Sequence, residues 1–144
     1  MIKFLSIAIF IIALVLIISI VRSNIQLKKH YDGPEAIQWL KNNKNPYALA
    51  SNHFTSTKAA ITFVEKLYSE GAEFIKIAKD CIKADTQTVK EEGGPYADGL
   101  VVKLPSDKAK RKVVISICRD ELDPEFKDSI EKDVRFDMIY LWWD

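Results

Sequence analysis

The sequence predicts an α+β domain of the ferredoxin-like type, with β-α-β-β-α-β order and both helices on one face of an antiparallel sheet. Two observations lead to this class. Two segments carry a single apolar stripe at helical spacing, as expected for helices that pack on one side of a sheet. Four short apolar segments flank and separate them in the order of the split βαβ pattern. A short helix and an apolar N-terminal run precede this domain.

The N-terminal run is the first element. Phe4 to Val21 is an uncharged stretch of 18 residues, and a helix of that length is about 27 Å long, close to the hydrocarbon thickness of a bilayer. We therefore expect residues 1–24 to be a single-pass transmembrane anchor. A cleaved signal peptide or a buried core helix is an alternative. The run is longer than a signal h-region, and Ile20 to Asn24 resembles no cleavage site.

Charge and cysteine content limit what residues 25–144, the predicted soluble domain, can do. Positive charges after the run favour a cytoplasmic side by a small margin. The chain has 21 Lys and Arg against 20 Asp and Glu, so no basic surplus predicts nucleic-acid binding. Cys81 and Cys118 are expected to be small buried side chains in a reducing compartment, or to pair in an oxidising one.

The soluble domain is predicted to open with a short helix and a strand. Asp32 to Pro34 is a helix-start signal, and Ala36 and Leu40 then share a helical face. Asn42 to Pro46 ends this helix. Tyr47 to Ser51 follows as the predicted first strand.

The first main helix is predicted from Ser56 to Glu70. Thr55 or Ser56 can cap its N-terminus, and Gly71 can end it in the left-handed conformation. The apolar stripe consists of Ala60, Phe63, Val64, Leu67 and Tyr68.

Two strands and a polar connection follow. Ala72 to Lys79 is predicted as a strand with alternate residues on one face. Asp80 to Glu92 is polar and is predicted as a connection, which Gly93 to Pro95 closes with a turn. The segment from Leu100 to Leu104 alternates again and is the next predicted strand.

The segment from Ser106 to Asp120 allows two interpretations. Val113 to Ile117 has strand propensity, whereas Pro105 to Asp107 is a helix-start signature. We predict a helix, partly because it completes the order of elements, with an apolar face formed by Val113, Val114, Ile117 and Cys118. Arg135 to Trp143 is the last predicted strand.

Three patterns carry a resemblance to known sequences. They are FVxxLYxxGA at residues 63–72, GGPYADxLVVxLP at 93–105 and LWWD at 141–144. Together they resemble a group of uncharacterised bacterial proteins over about residues 54–144. The resemblance implies a helix after the Leu-Pro pair. It implies no activity.

The predicted topology would gather polar side chains at one edge of the sheet. No metal-binding, phosphate-loop or dinucleotide motif occurs, so we expect no cofactor and no metal. At this edge, a helix N-terminus could bind an anion, and His53 and Asp98 could form an acid–base pair. Alternatively, Thr55 and Ser56 are only caps and Asp98 is a turn residue. The gathered residues are Asn52, His53, Thr55, Ser56, Lys79, Asp80, Tyr96 and Asp98.

The C-terminus carries the other unusual feature, the adjacent pair Trp142 and Trp143. Successive side chains of a strand point to opposite faces, so we expect one ring in the core and the other directed outward. An outward ring can contact a protein partner or the membrane surface.

Two function classes fit the sequence. The first is a membrane-anchored, non-catalytic interaction or regulatory domain with a protein partner. The alternative is a small-ligand (anion) binding domain or minor enzyme that uses the edge around His53 and Asp98. A deep polar pocket at this edge would favour the second class, and a flat edge with an exposed tryptophan would favour the first.

Overall fold

The structure, a computed structural model, describes residues 14–19, 32–122 and 137–143. These residues form an α+β domain with a small antiparallel sheet and helices. In chain order the elements are α1 (Ala36–Asn42), α2 (Thr57–Ser69), β1 (Phe74–Ile77), a 3₁₀ turn (Lys79–Cys81), β2 (Ile82–Lys83), α3 (Thr86–Glu92), β3 (Tyr96–Ala97), β4 (Gly99–Lys103), α4 (Lys108–Asp120) and β5 (Met138–Trp142).

The main sheet has three antiparallel strands in the order β1-β4-β5, and β2 pairs with β3 in a separate two-stranded ribbon. One face of the main sheet packs in a single hydrophobic core with the apolar sides of α2 and α4. Cross-strand neighbours on that face are buried, which fixes the register of the three strands. They are Ile75, Val102 and Ile139 in one row, and Ile77, Leu100 and Leu141 in the next.

Helix α2 confirms the predicted helix closely. The Ser56 hydroxyl caps it by accepting a hydrogen bond from the Ala59 amide at 3.1 Å. Gly71 follows the helix at φ 104°, a conformation that disfavours a side chain. Four of the five predicted stripe residues are buried, and Tyr68 packs against them partly buried.

The ambiguous segment after Pro105 is a helix, α4. Asp107 is its cap, one residue beyond Ser106, and its carboxylate accepts from the Lys110 amide at 2.9 Å. Val114 and Cys118 are buried as predicted. Val113 is 42% exposed, so the buried face is narrower than the predicted one.

The predicted first strand does not join the main sheet. Within Tyr47 to Ser51, only Leu49 forms a bridge, a parallel one to Ala97. Ala50 has φ 41°, which interrupts an extended conformation. The position beside β4 is taken by β5, whose alternating apolar residues complete the core face. The described residues therefore do not form the four-stranded ferredoxin-like sheet that the sequence predicted.

The polar stretch from Asp80 to Glu92 is also more regular than predicted. It contains β2 and α3, and Asp85 caps α3 by accepting from the Gln87 and Thr88 amides. Gly93 ends the helix at φ 80°. None of the residues of α3 is buried, so it has no apolar stripe by which the sequence could predict it.

A partly buried polar link joins α1, α2 and β1. Glu35 caps α1 by accepting from the Ile37 and Gln38 amides. The Tyr68 hydroxyl donates to the Glu35 carboxylate at 2.8 Å and accepts from the Ile75 amide at 2.9 Å. Burial and the neighbouring Glu35 carboxylate raise the pKa of Tyr68 to about 12. The phenol therefore stays neutral and keeps all three elements connected at neutral pH.

Most of the predicted anchor, Phe4 to Val21, lies outside the described residues, as does the segment from Ile25 to Tyr31, which the sequence predicts to be a short linker. Residues 14–19 are helical, and their apolar side chains are exposed. Among the described residues, no helix combines the length and the apolar character needed to cross a membrane.

Candidate functional site

His53 lies in the turn before α2 and contacts the end of α4. Its Nε2 atom is 2.6 Å from the Glu121 carboxylate. Its ring stacks on Trp143, with centroids 5.5 Å apart and planes inclined by 24°. Asp98 has a different partner, Lys83. The structure therefore does not bring His53 and Asp98 together as the predicted acid–base pair.

Trp143 is the centre of this contact region, which we call the aromatic corner (His53, Phe54, Glu121 and Trp143). The indole is 7% exposed and donates from Nε1 to the Glu121 carbonyl at 3.2 Å. Phe54 packs edge-on against it at 5.4 Å. The corner joins the turn before α2, the end of α4 and the C-terminal strand. Its groups are engaged with one another, which indicates a structural role.

Asp98 organises a second cluster, with Lys83 and Tyr96. Its carboxylate holds the Lys83 ammonium at 2.8 Å, and that ammonium lies 5.3 Å from the Tyr96 ring centroid. The Tyr96 hydroxyl accepts from the Ser51 amide at 3.2 Å. Burial and the Asp98 carboxylate raise the pKa of Tyr96, and the hydrogen bond to Asp98 raises the pKa of Lys83. Lys83 and Tyr96 therefore keep their ordinary charge states at neutral pH.

This cluster forms one wall of a cleft of about 390 Å³, the polar cleft. One lysine and three carboxylates line it, which gives its lining a net charge of −2. An anion would be repelled there, so the cleft does not fit the predicted anion site. The lining residues are Ser51, Asn52, Lys83, Thr88, Glu91, Glu92, Tyr96, Asp98 and Trp143.

The other predicted edge residues lie elsewhere. Ser56 is the cap of α2, as the alternative interpretation held. Thr55 is exposed beside it, and Lys79 is exposed in the 3₁₀ turn. Of the six residues predicted to bind a ligand, only Tyr96 and Asp98 line the polar cleft. Lys83, Glu91 and Glu92 were missed because they fall in the stretch that was predicted to be an irregular connection.

Cys81 and Tyr140 form a contact that the sequence did not predict. The thiol sulfur is 3.0 Å from the Tyr140 hydroxyl. Gly99 lies beneath this contact, where a Cβ atom would be 3.1 Å from the sulfur. Burial raises the pKa of both the Cys81 thiol and the Tyr140 phenol. Cys81 is therefore protonated at neutral pH, which makes it a weak nucleophile.

Cys118 is buried in the core, and burial raises the pKa of its thiol to about 12. Both cysteines are free thiols. The prediction of small buried side chains is confirmed for Cys118.

The outer face of β5 carries two exposed aromatic rings. Trp142 is 49% exposed and Tyr140 is 41% exposed. Trp143, the next residue, is buried, so the predicted opposite burial of the tryptophan pair is confirmed.

A second cavity of about 560 Å³ separates α1 from α3 and the Gly-Gly-Pro turn. Its walls include Pro34, Trp39, Val89 and Pro95, and its rim includes the Gln38 amide. Helix α3 carries one apolar residue of this wall, Val89, which remains partly exposed.

Comparison with known proteins finds no matching family model, no matching curated protein and no matching solved structure. Within the described ranges, no group of three or more His, Cys, Asp or Glu side chains is placed to hold a metal ion.

Proposed function

We propose that this protein is a non-catalytic interaction domain, held at a membrane by its N-terminal run, that binds a protein partner through the outer face of β5. The exposed ring of Trp142 is the observation that carries this proposal. A half-exposed tryptophan on a regular strand resembles the aromatic anchors that dominate protein interfaces.

The backbone at Trp142 is held on both sides. Trp142 pairs with Gly99 in the sheet. The Trp143 amide donates to the Asp98 carbonyl at 3.0 Å, and the Trp143 ring is buried. A strand backbone held in this way need not be ordered on binding, which favours affinity. Tyr140 extends the same exposed surface by one more aromatic ring.

The groups that could perform catalysis support a non-catalytic role. His53 is stacked on Trp143 and paired with Glu121. Asp98 is paired with Lys83, and both thiols have raised pKa values. A thiol is activated as a nucleophile by a lowered pKa or by an adjacent general base, whereas the pKa values of both thiols are raised. Among the described residues, the His53 ring is hydrogen-bonded to the Glu121 carboxylate and to no hydroxyl or thiol that it could deprotonate.

The membrane part of the proposal rests on the uncharged run from Phe4 to Val21. We expect the full-length protein to stay with membranes through high-salt and carbonate washes, because a spanning helix is removed only by detergent. A truncated chain that starts near Asn24 is expected in the soluble fraction. Release of the full-length protein by carbonate, or a mature N-terminus after residue 20, would overturn the anchor.

Site-specific photo-crosslinking in cells tests the interaction surface. A benzoylphenylalanine at position 142 is expected to give a discrete covalent adduct with one protein. Tyr47 is the matched control, because it is also an exposed aromatic residue, 46% accessible, but belongs to the segment before α2 and not to β5. Adducts of equal yield and mobility from both positions, or none from position 142, would contradict the proposed interface.

A further inference from the structure

We propose that the polar cleft binds a lysine or arginine side chain of a protein partner, whose cation takes the place that the Lys83 ammonium now occupies. This inference rests on the proposed interaction function, because it names the chemistry that a partner must present. The contacts that support it, however, are all made by residues of the cleft itself.

The cleft already holds an ammonium group in a cation-binding arrangement. The Asp98 carboxylate contacts the Lys83 ammonium at 2.8 Å, and the Tyr96 ring lies 5.3 Å from it. A carboxylate beside an aromatic ring is a recurrent way to bind an alkylammonium or guanidinium group. The Asp98 side chain is only 17% exposed, so its charge is weakly screened by solvent.

Lys83 itself can leave this position. Its side chain is 57% exposed, and it lies on β2, a strand of two residues. The lysine end of this ion pair is therefore open to solvent, although Asp98 is mostly buried. Displacement of the Lys83 ammonium by an incoming cation exchanges one ion pair with Asp98 for another, and the released ammonium regains its hydration.

The remaining walls favour a long basic side chain over a small cation. Glu91 and Glu92 add two exposed residues with carboxylates to the lining of the cleft, where they attract positive charge. The Tyr96 ring, which is partly exposed, offers apolar surface in the same cleft. Lysine and arginine have aliphatic stems that pack on such surfaces while the charged head reaches a carboxylate. A free polyamine has the same ammonium chemistry but no peptide backbone.

The test uses the full-length protein in detergent micelles and follows its backbone amide resonances. The main probe is the capped tripeptide Ala-Lys-Ala. The neutral control replaces its lysine by norleucine, and spermidine represents a free polyamine. We expect the lysine peptide to shift the amide signals of Lys83, Tyr96 and Asp98 with a dissociation constant on the order of a millimolar. The norleucine peptide is expected to shift none of them.

Three variants assign the role of each charge. Lys83→Met removes the internal competitor and is expected to tighten lysine-peptide binding roughly two- to fivefold. Asp98→Asn removes the central carboxylate and is expected to weaken it about tenfold. The exposed double variant Glu91→Gln/Glu92→Gln is expected to weaken it several-fold without unfolding, which keeps the test valid if Asp98→Asn is unstable. Asp120→Asn, exposed on α4, is the matched control and should change nothing.

Several results would overturn the inference. Weaker or unchanged binding by Lys83→Met would show that Lys83 supports the cleft and does not compete for it. Equal shifts from the norleucine peptide would exclude cation recognition, and tighter binding of spermidine than of the lysine peptide would assign the cleft to polyamines. If these results occur while position 142 still gives its adduct, this inference fails and the proposed function stands. If the lysine peptide binds but position 142 gives no adduct, the cleft binds a cation as inferred and the proposed interface on β5 is wrong.

Discussion

The two faces of the main sheet have different compositions and different surroundings. The face toward α2 and α4 is made of buried aliphatic residues from all three strands. The opposite face is mixed, since it carries Lys76, Tyr140 and Trp142 around the buried side chain of Val101. Along β5 the two sets alternate, since Ile139 and Leu141 are buried and Tyr140 and Trp142 are exposed. One strand therefore supplies stability from one face and a binding surface from the other.

The largest expected effect follows from a charge placed on the core side. Val64→Asp buries an unpaired carboxylate beneath the sheet, and we expect it to unfold the domain or cost at least about 4 kcal/mol. Val113→Asp is the matched control on an exposed position of α4, where we expect a change within about 0.5 kcal/mol. Urea unfolding followed by circular dichroism measures both. Similar losses from the two variants would contradict the assigned core face.

The tryptophan pair compares the two faces directly. Trp143→Ala removes a buried ring and its hydrogen bond to Glu121, so we expect a loss of about 3–5 kcal/mol in the free energy of unfolding. Trp142→Ala should cost less than about 1 kcal/mol but weaken association with a crosslinked partner. Large and equal destabilisation by both variants would make the pair purely structural and remove the main support for the interface.

Tyr68→Phe tests the polar link at the border of the core. The Ile75 amide would lose its acceptor, and we expect a cost of about 1–3 kcal/mol, whereas Tyr47→Phe at an exposed position should be neutral. The pKa of Tyr68 is raised to about 12 in the folded state. Its contribution is therefore complete below about pH 10 and is lost as the pH rises toward 12. A difference between wild type and Tyr68→Phe that grows with pH above 10 would contradict this link.

His53→Ala is expected to have the smallest effect. The partly exposed pair with Glu121 and the stacking on Trp143 together should contribute about 0.5–1.5 kcal/mol. His53→Phe retains the stacking and separates the two contributions. Neither variant should change the adduct at position 142. Loss of that adduct at unchanged stability would indicate that His53 belongs to the functional surface.

Local sequence patterns determined much of the fold. The stripe on α2, the cap before α4 and the alternation in β1 and β5 each depend on residues within one element, so period and capping chemistry predict them. The opposite burial of Trp142 and Trp143 follows from the strand period in the same way. These features hold wherever the element sits in the fold.

The contacts between elements were decided only by the tertiary structure. Tyr47 to Ser51 was predicted as a strand, yet β5 occupies the place beside β4, and only Leu49 of the predicted strand forms a bridge, to Ala97. His53 pairs with Glu121, 68 positions away, and Asp98 pairs with Lys83. The partner of a side chain depends on which segments of the chain, distant in sequence, meet in space. That depends on how competing strands and helices share one core, and no local period encodes it.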